Sequence, residues 1–477
     1  MGRLDILKSR EIENHKGETF SYLKEDGTFL DSLLGYEINS DFKKALDVIV
    51  NQRRNCFISG SGGVGKSTFL EILMKILSEK YRKRSLNKVL VAPTGIASLR
   101  VGGMTIHKAF GFPIKPLGLD DVGGSKEGKD IAKVIDLLII DEVSMVRSDI
   151  FVAIDIFLQR AKGNYSPFGG VQIVVVGDLF QLPPVVKSSE EGKFLFDHHG
   201  TKFFFNTQSF EDGNFVPIEF NTMYRQKDQE LRDKLNLLRL GNIDKETLDF
   251  FNKRVVQEID FCEKVGEDYV YLNSTNKDKD KINNEMLNSI DTEKYTFSLH
   301  CTGDIKPNDH PFEDPLVIKI GAQVMTVVNH IDGRYVNGTI GTVKKLVAYK
   351  DDEGKDHMAI VIDVDGREVR VCKHSMQKVK YRYNKEERKI EEEILGEISQ
   401  YPIVLAWART IHKSQSATFD KLYIDFGYKA FTEGMVYTAL SRCKTYDNIG
   451  LKRPIKKEEC MTDPEVINFY EKFFKTG

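Results

Sequence analysis

The sequence predicts an α/β protein of two domains, each a parallel sheet flanked by helices, with a small β-barrel inserted in the second. Three observations carry this. Continuously apolar runs at "NCFISG", "KVLVAP", "DLLIIDE" and "VQIVVVGD" alternate with helical stretches such as "TFLEILMKIL" and "SDIFVAIDIFLQR", the pattern of parallel strands covered on both faces. A second set follows Phe215: "VPIEF", the helix-like "DQELRDKLNLLRL", then "DYVYLNST", "IVLAWA" and "KLYIDF". Within that set, residues 316–400 change to short β-rich runs, "AQVMTVV", "GTIGTVKKLV", "MAIVIDV" and "REVRVC", with turn signals at Asn337-Gly338 and Asp365-Gly366.

The expected division is therefore an N-terminal extension over 1–36, a first domain over 37–214, a second over 215–315 and 401–477, and the insertion over 316–400. The extension is polar and weakly periodic. A length of 477 residues exceeds what one hydrophobic core organises and leaves room for a cleft between domains. The charge run "KVKYRYNKEERKIEEEILGE" reads as a solvated face or arm.

A formal net charge of −2 gives no overall pull towards polyanions, so any such site is a local cleft of Lys, Arg and backbone amides. The six cysteines are scattered, without a C-x-x-C pair, and fit free thiols in a reducing compartment. No apolar run has the length of a signal peptide core or a membrane span, so the expectation is a cytoplasmic, nucleoid-associated or viral intracellular protein without a membrane partner.

The first chemical element is "GSGGVGKST", Gly60 to Thr68, which fits G-x-x-x-x-G-K-[ST] after a strand and before a helix. Gly60, Gly62, Gly63 and Gly65 let backbone N–H groups curl around phosphate oxygens, Lys66 reaches the β- and γ-phosphates, and Ser67 ligates Mg²⁺. The second is "DLLIIDE", where Asp141 holds Mg²⁺ and Glu142 takes the proton of an attacking water. Apolar runs ending in acids are common, and the pair gains weight only downstream of the phosphate loop. Together they specify a nucleoside triphosphatase acting with Mg²⁺, and no particular work done with it.

"APTGIASLRVGGMTIHKAFGF" follows the second strand, at the sheet edge where ligands bind in open α/β folds. Its small residues, hydroxyls, His107 and phenylalanines suit phosphate contacts and base stacking on a single strand, and equally suit an ordinary connection.

"APTGIAS" with "TIHKAFGF", "IIDEVSM", "PFGGVQIVVVGDLFQLPPV", "MYRQ", "YLNSTN", "LAWARTIHKSQS" and "VYTALSRCKTYDNIGLKRPI" stand in the order seen in the Pif family of superfamily 1B DNA helicases, and over residues 40 to 470 the chain resembles that family, whose relatives include RecD and Dda. The resemblance implies two RecA-like domains facing each other across ATP, with single-stranded or forked DNA lying over both and movement from 5′ to 3′. It implies that Gln181 is the γ-phosphate sensor, that Arg225 and Arg442 are arginine fingers from the second domain, and that Thr68 and Gln415 lie at the nucleotide. Pro93, Thr94, Gly95, Thr105 and His107 match positions that hold DNA on the first domain, and Thr410, His412, Lys413 and Ser414 those on the second. The segment near 108–130 resembles the family's wedge, with Phe112 as its stacking residue, and the insertion resembles its Src-homology-like barrel. A monomer working with replication or repair proteins is the implied form.

The chain departs from the family pattern twice. Phe42 and Lys43 stand where a glutamine usually reads adenine, which admits a less selective triphosphate pocket, and Ser416 stands where glycine usually follows "HKSQ". The competing reading is a P-loop ATPase that remodels or packages nucleic acid or protein without unwinding; the "TIHKAFGF" and "TIHKSQ" loops argue against it.

Overall fold

The computed structural model describes residues 12–13, 19–20 and 38–475, apart from 82–85, 95–102, 114, 119–121, 187, 267–268, 304–311, 329, 331–333, 336–337, 351–355, 365, 385–388 and 416. Gly95, Ser416, both turn residues Asn337 and Asp365, and most of the N-terminal extension lie outside the described residues.

Six strands build the first sheet: β1 (Cys56–Ser59), β2 (Lys88–Ala92), β3 (Met104–Thr105), β4 (Leu137–Ile140), β5 (Gln172–Val176) and β6 (Val216–Glu219). All pair in parallel, in the order β3-β2-β4-β5-β1-β6. Strand side chains alternate between faces. Accordingly Leu137, Ile139, Val174 and Val176 join one core with Phe69, Leu73 and Ile76 of the helix Lys66–Lys80, while Leu138, Ile140, Ile173 and Val175 join another with Phe151, Ile154 and Phe157 of the helix Ser148–Lys162. Burial on both faces is why these strands read as unbroken apolar runs.

The second sheet is four-stranded and parallel, ordered Ala408–Thr410, Val270–Asn273, Leu422–Asp425, Ile449–Leu451. The helices Gln229–Arg239 and Met435–Leu440 pack together in this domain. The chain therefore carries the two parallel α/β units that its alternation predicts.

The domain boundaries differ from expectation in three places. "VPIEF" was expected to open the second domain, but β6 pairs with β1 and completes the first sheet; alternation identifies a strand without saying which sheet it joins. The C-terminal stretch, Pro464–Tyr470 and a final turn Glu471–Lys475, returns to the first domain, where Phe469 stacks on Phe205 at 4.4 Å and Phe474 meets Phe57 at 5.2 Å. The inserted β-region begins before 316 and ends after 400: Lys294–Phe297 pairs with Leu316–Lys319, and Ile403–Leu405 pairs with Gln323–Thr326.

Among the described residues the insertion is a five-stranded antiparallel sheet, Arg367–Val371, Asp356–Val364, Ile340–Lys350, Gln323–Thr326 and Ile403–Leu405, with its own core around Val324, Val343, Ile360 and Ile362. The charge run forms the hairpin His374–Asn384 with Lys389–Gln400, which leans on the helix Lys126–Val134 of the first domain. Trp407 packs against the core of the insertion. No helix among the described residues is long and apolar enough to cross a membrane.

Candidate active site

The loop after β1 turns through Gly60, Gly63 and Gly65 at φ 155°, 102° and 85°, and Gly65 caps the helix that begins at Lys66. Gly62 and Gly63 show why side chains are absent here. A Cβ on Gly62 would lie 2.6 Å from Arg442 Nη2, 3.0 Å from Arg225 Nη1 and 3.6 Å from Gln181 Nε2, and one on Gly63 would lie 2.4 Å from Arg225 Cβ. Three residues from distant parts of the sequence thus converge on one turn of backbone. Two of them are guanidinium groups of the kind that stabilise a transferring phosphoryl group.

The Lys66 ammonium donates to the Gly60 and Ser61 carbonyls at 2.7 and 3.0 Å. Burial lowers its pKa from the usual lysine value, while Asp178 and Glu142 act in the opposite sense. Ser67 and Thr68 are exposed on the first helical turn. Asp141 is buried at the end of β4, its N–H donating to the Val91 carbonyl. Glu142, next to it, has φ 49°, a left-handed conformation that non-glycine residues adopt at a cost.

Gln181 is buried, and its Nε2 donates to Asp178 Oδ2 at 3.2 Å. Phe180 and Leu182 anchor the loop in the core. Arg225 Nη1 and Gln226 Nε2 both donate to the Ser441 carbonyl, at 3.0 and 2.9 Å, which ties "MYRQ" to "ALSRC". Arg442, itself buried, donates from Nε to the Thr438 carbonyl and from Nη2 to Ser441 Oγ, both at 2.9 Å. A cavity of about 590 Å³ opens beside this point, lined in part by Ser61, Gly62, Gln226, Arg239 and Tyr437.

Sequence reasoning missed three members of this cluster. Asp178 Oδ2 accepts from the Tyr437 hydroxyl at 3.0 Å and its Oδ1 from Arg239 Nε at 3.1 Å. Burial alone would raise the Asp178 carboxyl, but Arg239 and Lys66 hold it below the ordinary carboxylate value. An acid two residues after the apolar run Ile173–Val176 was the available signal for Asp178; Arg239 ends a helix, where a cation is ordinary, and gave none.

On the first domain Pro93, Thr94 and His107 line a cavity of about 780 Å³ whose floor includes Ile106, Ile150 and Phe194. Thr105 is half-buried just before the helix Ile106–Phe110. Phe112 is not a stacking residue. It is 4 % exposed and packs against Phe110 and Phe157 at 5.6 and 5.4 Å, because the chain turns inward at Gly111.

On the second domain His412 is half-buried and Lys413 exposed. Burial lowers the pKa of both, with Lys279 and Arg409 adding to the effect at Lys413. Ser414 and Thr410 do not reach outward as expected. The fully buried Ser414 hydroxyl donates to the Ile411 carbonyl at 2.7 Å, and the buried Thr410 hydroxyl accepts from the Lys413 N–H at 3.4 Å. They shape the turn that presents His412 and Lys413. Gln415 Nε2 is buried without a partner among the described residues, and the residue is not part of the cavity beside Gly62.

Phe42, which stands where the resemblance leads us to expect a glutamine, is buried against Phe69 and Phe220 at 5.3 and 5.0 Å. Its neighbour Asn39 accepts from the Phe42 N–H and donates to the Tyr224 hydroxyl.

A family model described as PIF1-like helicase matches residues 36–247. The chain is similar to the ATP-dependent DNA helicase Pif1 of Campylobacter jejuni, 30% identical over 88% of this chain and 94% of that one. It is also similar to the ATP-dependent DNA helicase PIF1 of Emericella nidulans, 29% identical over 90% of this chain; there it spans 62% of the relative's length. Among solved structures, Pif1 from a Bacteroides species in complex with ADP-AlF4 superposes with a TM-score of 0.81 at 31% identity, covering 93% of this chain and 98% of that one. The Bacteroides helicase in complex with ADP-AlF3 and ssDNA matches at 0.63, with the same identity and coverage.

Proposed function

From a chain that belongs to the PIF1-like helicase family and is an ATP-dependent DNA helicase, we propose a motor that tracks 5′ to 3′ along single-stranded DNA and splits the duplex at a fork. The convergence of Gln181, Arg225 and Arg442 on Gly62 carries this reading, since it brings groups of both domains to one phosphate-sized turn. The glycine cradle fits a triphosphate, because a side chain at Gly62 or Gly63 would fill the space.

In this reading the backbone amides and Lys66 bind the phosphates, and Ser67 and Asp141 hold Mg²⁺, which neutralises developing charge when bound. Glu142 takes the proton of the attacking water. Arg225 and Arg442 supply charge when the domains close, so hydrolysis waits for closure. Thr94, His107, His412 and Lys413 grip the strand, and the two grips shift relative to each other as the cleft opens and closes. The protein acts as a monomer in the cytoplasm, in keeping with its free cysteines, beside replication or repair proteins.

Strand displacement on duplexes with a 5′ or a 3′ tail tests the reading. Unwinding with ATP from the 5′ tail alone is expected, and Lys66→Ala abolishes it while leaving the circular dichroism spectrum unchanged. Unwinding from the 3′ tail alone refutes the polarity, and strand-stimulated hydrolysis by Lys66→Ala refutes the site.

A further inference from the structure

We propose that Arg239 and Tyr437, both carried by the second domain, are positioning residues for Gln181 and act through Asp178. The inference rests on the reading of Gln181 as the group that meets the γ-phosphate.

Asp178 is 1 % exposed, and both of its oxygens are occupied. Oδ1 accepts from Arg239 Nε at 3.1 Å and from the Phe180 N–H at 3.3 Å; Oδ2 accepts from the Tyr437 hydroxyl at 3.0 Å and from Gln181 Nε2 at 3.2 Å. An amide side chain has a donor end and an acceptor end. Committing Nε2 to Asp178 fixes which way Oε1 faces. The carboxylate thus orients the sensor, and the second domain orients the carboxylate.

The two second-domain groups are themselves held. Arg239 is 3 % exposed, with its guanidinium 4.5 Å from the centre of the Phe180 ring and 5.2 Å from that of Tyr470. The Tyr437 hydroxyl donates to Asp178 while accepting from the Gly62 N–H at 3.2 Å, so one oxygen joins the phosphate loop to the sensor loop. The backbone supports the same contact. Gly434, which precedes the helix bearing Tyr437, has φ 68°, and a Cβ there would stand 2.4 Å from the Gln181 carbonyl oxygen. Moving the second domain away removes two of the four donors to a buried carboxylate and frees the sensor amide to rotate. Closure and a correctly aimed Gln181 are therefore one event.

The test is a double-mutant cycle on ATP hydrolysis at saturating single-stranded DNA. Tyr437→Phe keeps the ring and removes the hydroxyl. It is expected to lower kcat about tenfold, the factor set by one hydrogen bond to a charged group, with KM for ATP changed less than about twofold. In a Gln181→Ala background, assayed on its residual rate, the same change should cost nothing further. Arg239→Lys should retain more of kcat than Arg239→Met, because it keeps the charge beside Asp178. Equal fold-losses from Tyr437→Phe in both backgrounds, a loss confined to KM, or no rescue by lysine each overturn the inference. A wild-type protein without strand-stimulated hydrolysis overturns the functional reading beneath it, a result distinguishable from an active wild type with additive losses.

Discussion

At the scale of single residues, the sequence was most informative where backbone chemistry leaves few options. The glycines after β1, Lys66 and the acids after β4 fall in the strand-loop-helix geometry that the sequence predicts. It was least informative where the same residue type serves two ends. Phe112 in an aromatic loop reads as a stacking platform until its neighbours, Phe110 and Phe157, are known, and the Ser414 hydroxyl reads as a strand contact until Ile411 accepts its proton. Asp178 and Arg239 form a buried ion pair that spacing could not reveal, and the pair has a measurable signature. Because the folded-state carboxyl lies below the ordinary value of about 3.9, its contribution is complete above that pH and is lost as the pH falls through the folded value. Asp178→Asn leaves the guanidinium with only Glu219, 3.6 Å away, as a charged partner and should cost about 3 kcal/mol at pH 7. Denaturant midpoints at pH 7 and at about pH 2, below the ordinary carboxylate value, should then converge for the variant more than for the wild type; an unchanged midpoint at pH 7 would remove the pair from the account of stability.

At the scale of elements, apolar runs identified every strand of the first sheet except the two-residue β3, because the internal strands β1, β2, β4 and β5 are buried on both faces and almost wholly apolar. What those runs could not encode was partnership. β6 looks like any other "VPIEF" strand, and only its register, Cys56 opposite Val216, places it beside the phosphate-loop strand. The charged hairpin was equally opaque, since strand pairing joins its two arms and the charge pattern suggested only solvent exposure. The short turn His412–Ser414 shows how an element divides its work: Ser414 and Thr410 fold inward and Lys413 faces out. Lys413→Ala should therefore weaken binding to single-stranded DNA and lower the log–log salt slope by about one. Ser414→Ala should leave that slope unchanged, and fluorescence anisotropy across salt concentrations separates the two. Equal slopes for Lys413→Ala and the wild type would remove Lys413 from the grip.

At the scale of the whole molecule, the sequence conveyed two α/β units and an inserted β-region, while the way the chain sews them together required the fold. The C-terminal Phe469, Phe473 and Phe474 pack on Phe57, Phe205 and Phe210, far from them in sequence, and no local pattern marks that return. Ending the chain after Asp463 should expose this aromatic cluster and lower the melting temperature. At permissive temperature it should also lower the base pairs opened per ATP more than it lowers ATP turnover; proportional losses would confine the segment to a role in stability. The chain leaves the first domain along Phe220–Asp228, which carries Arg225, and comes back at Pro464. The second domain is thus hung like a door on two pins, one of which passes beside Gly62 and Gly63. For a domain that turns on two such pins, the distance its outer edge travels is a lever-arm property, set by how far that edge lies from the line through the pins.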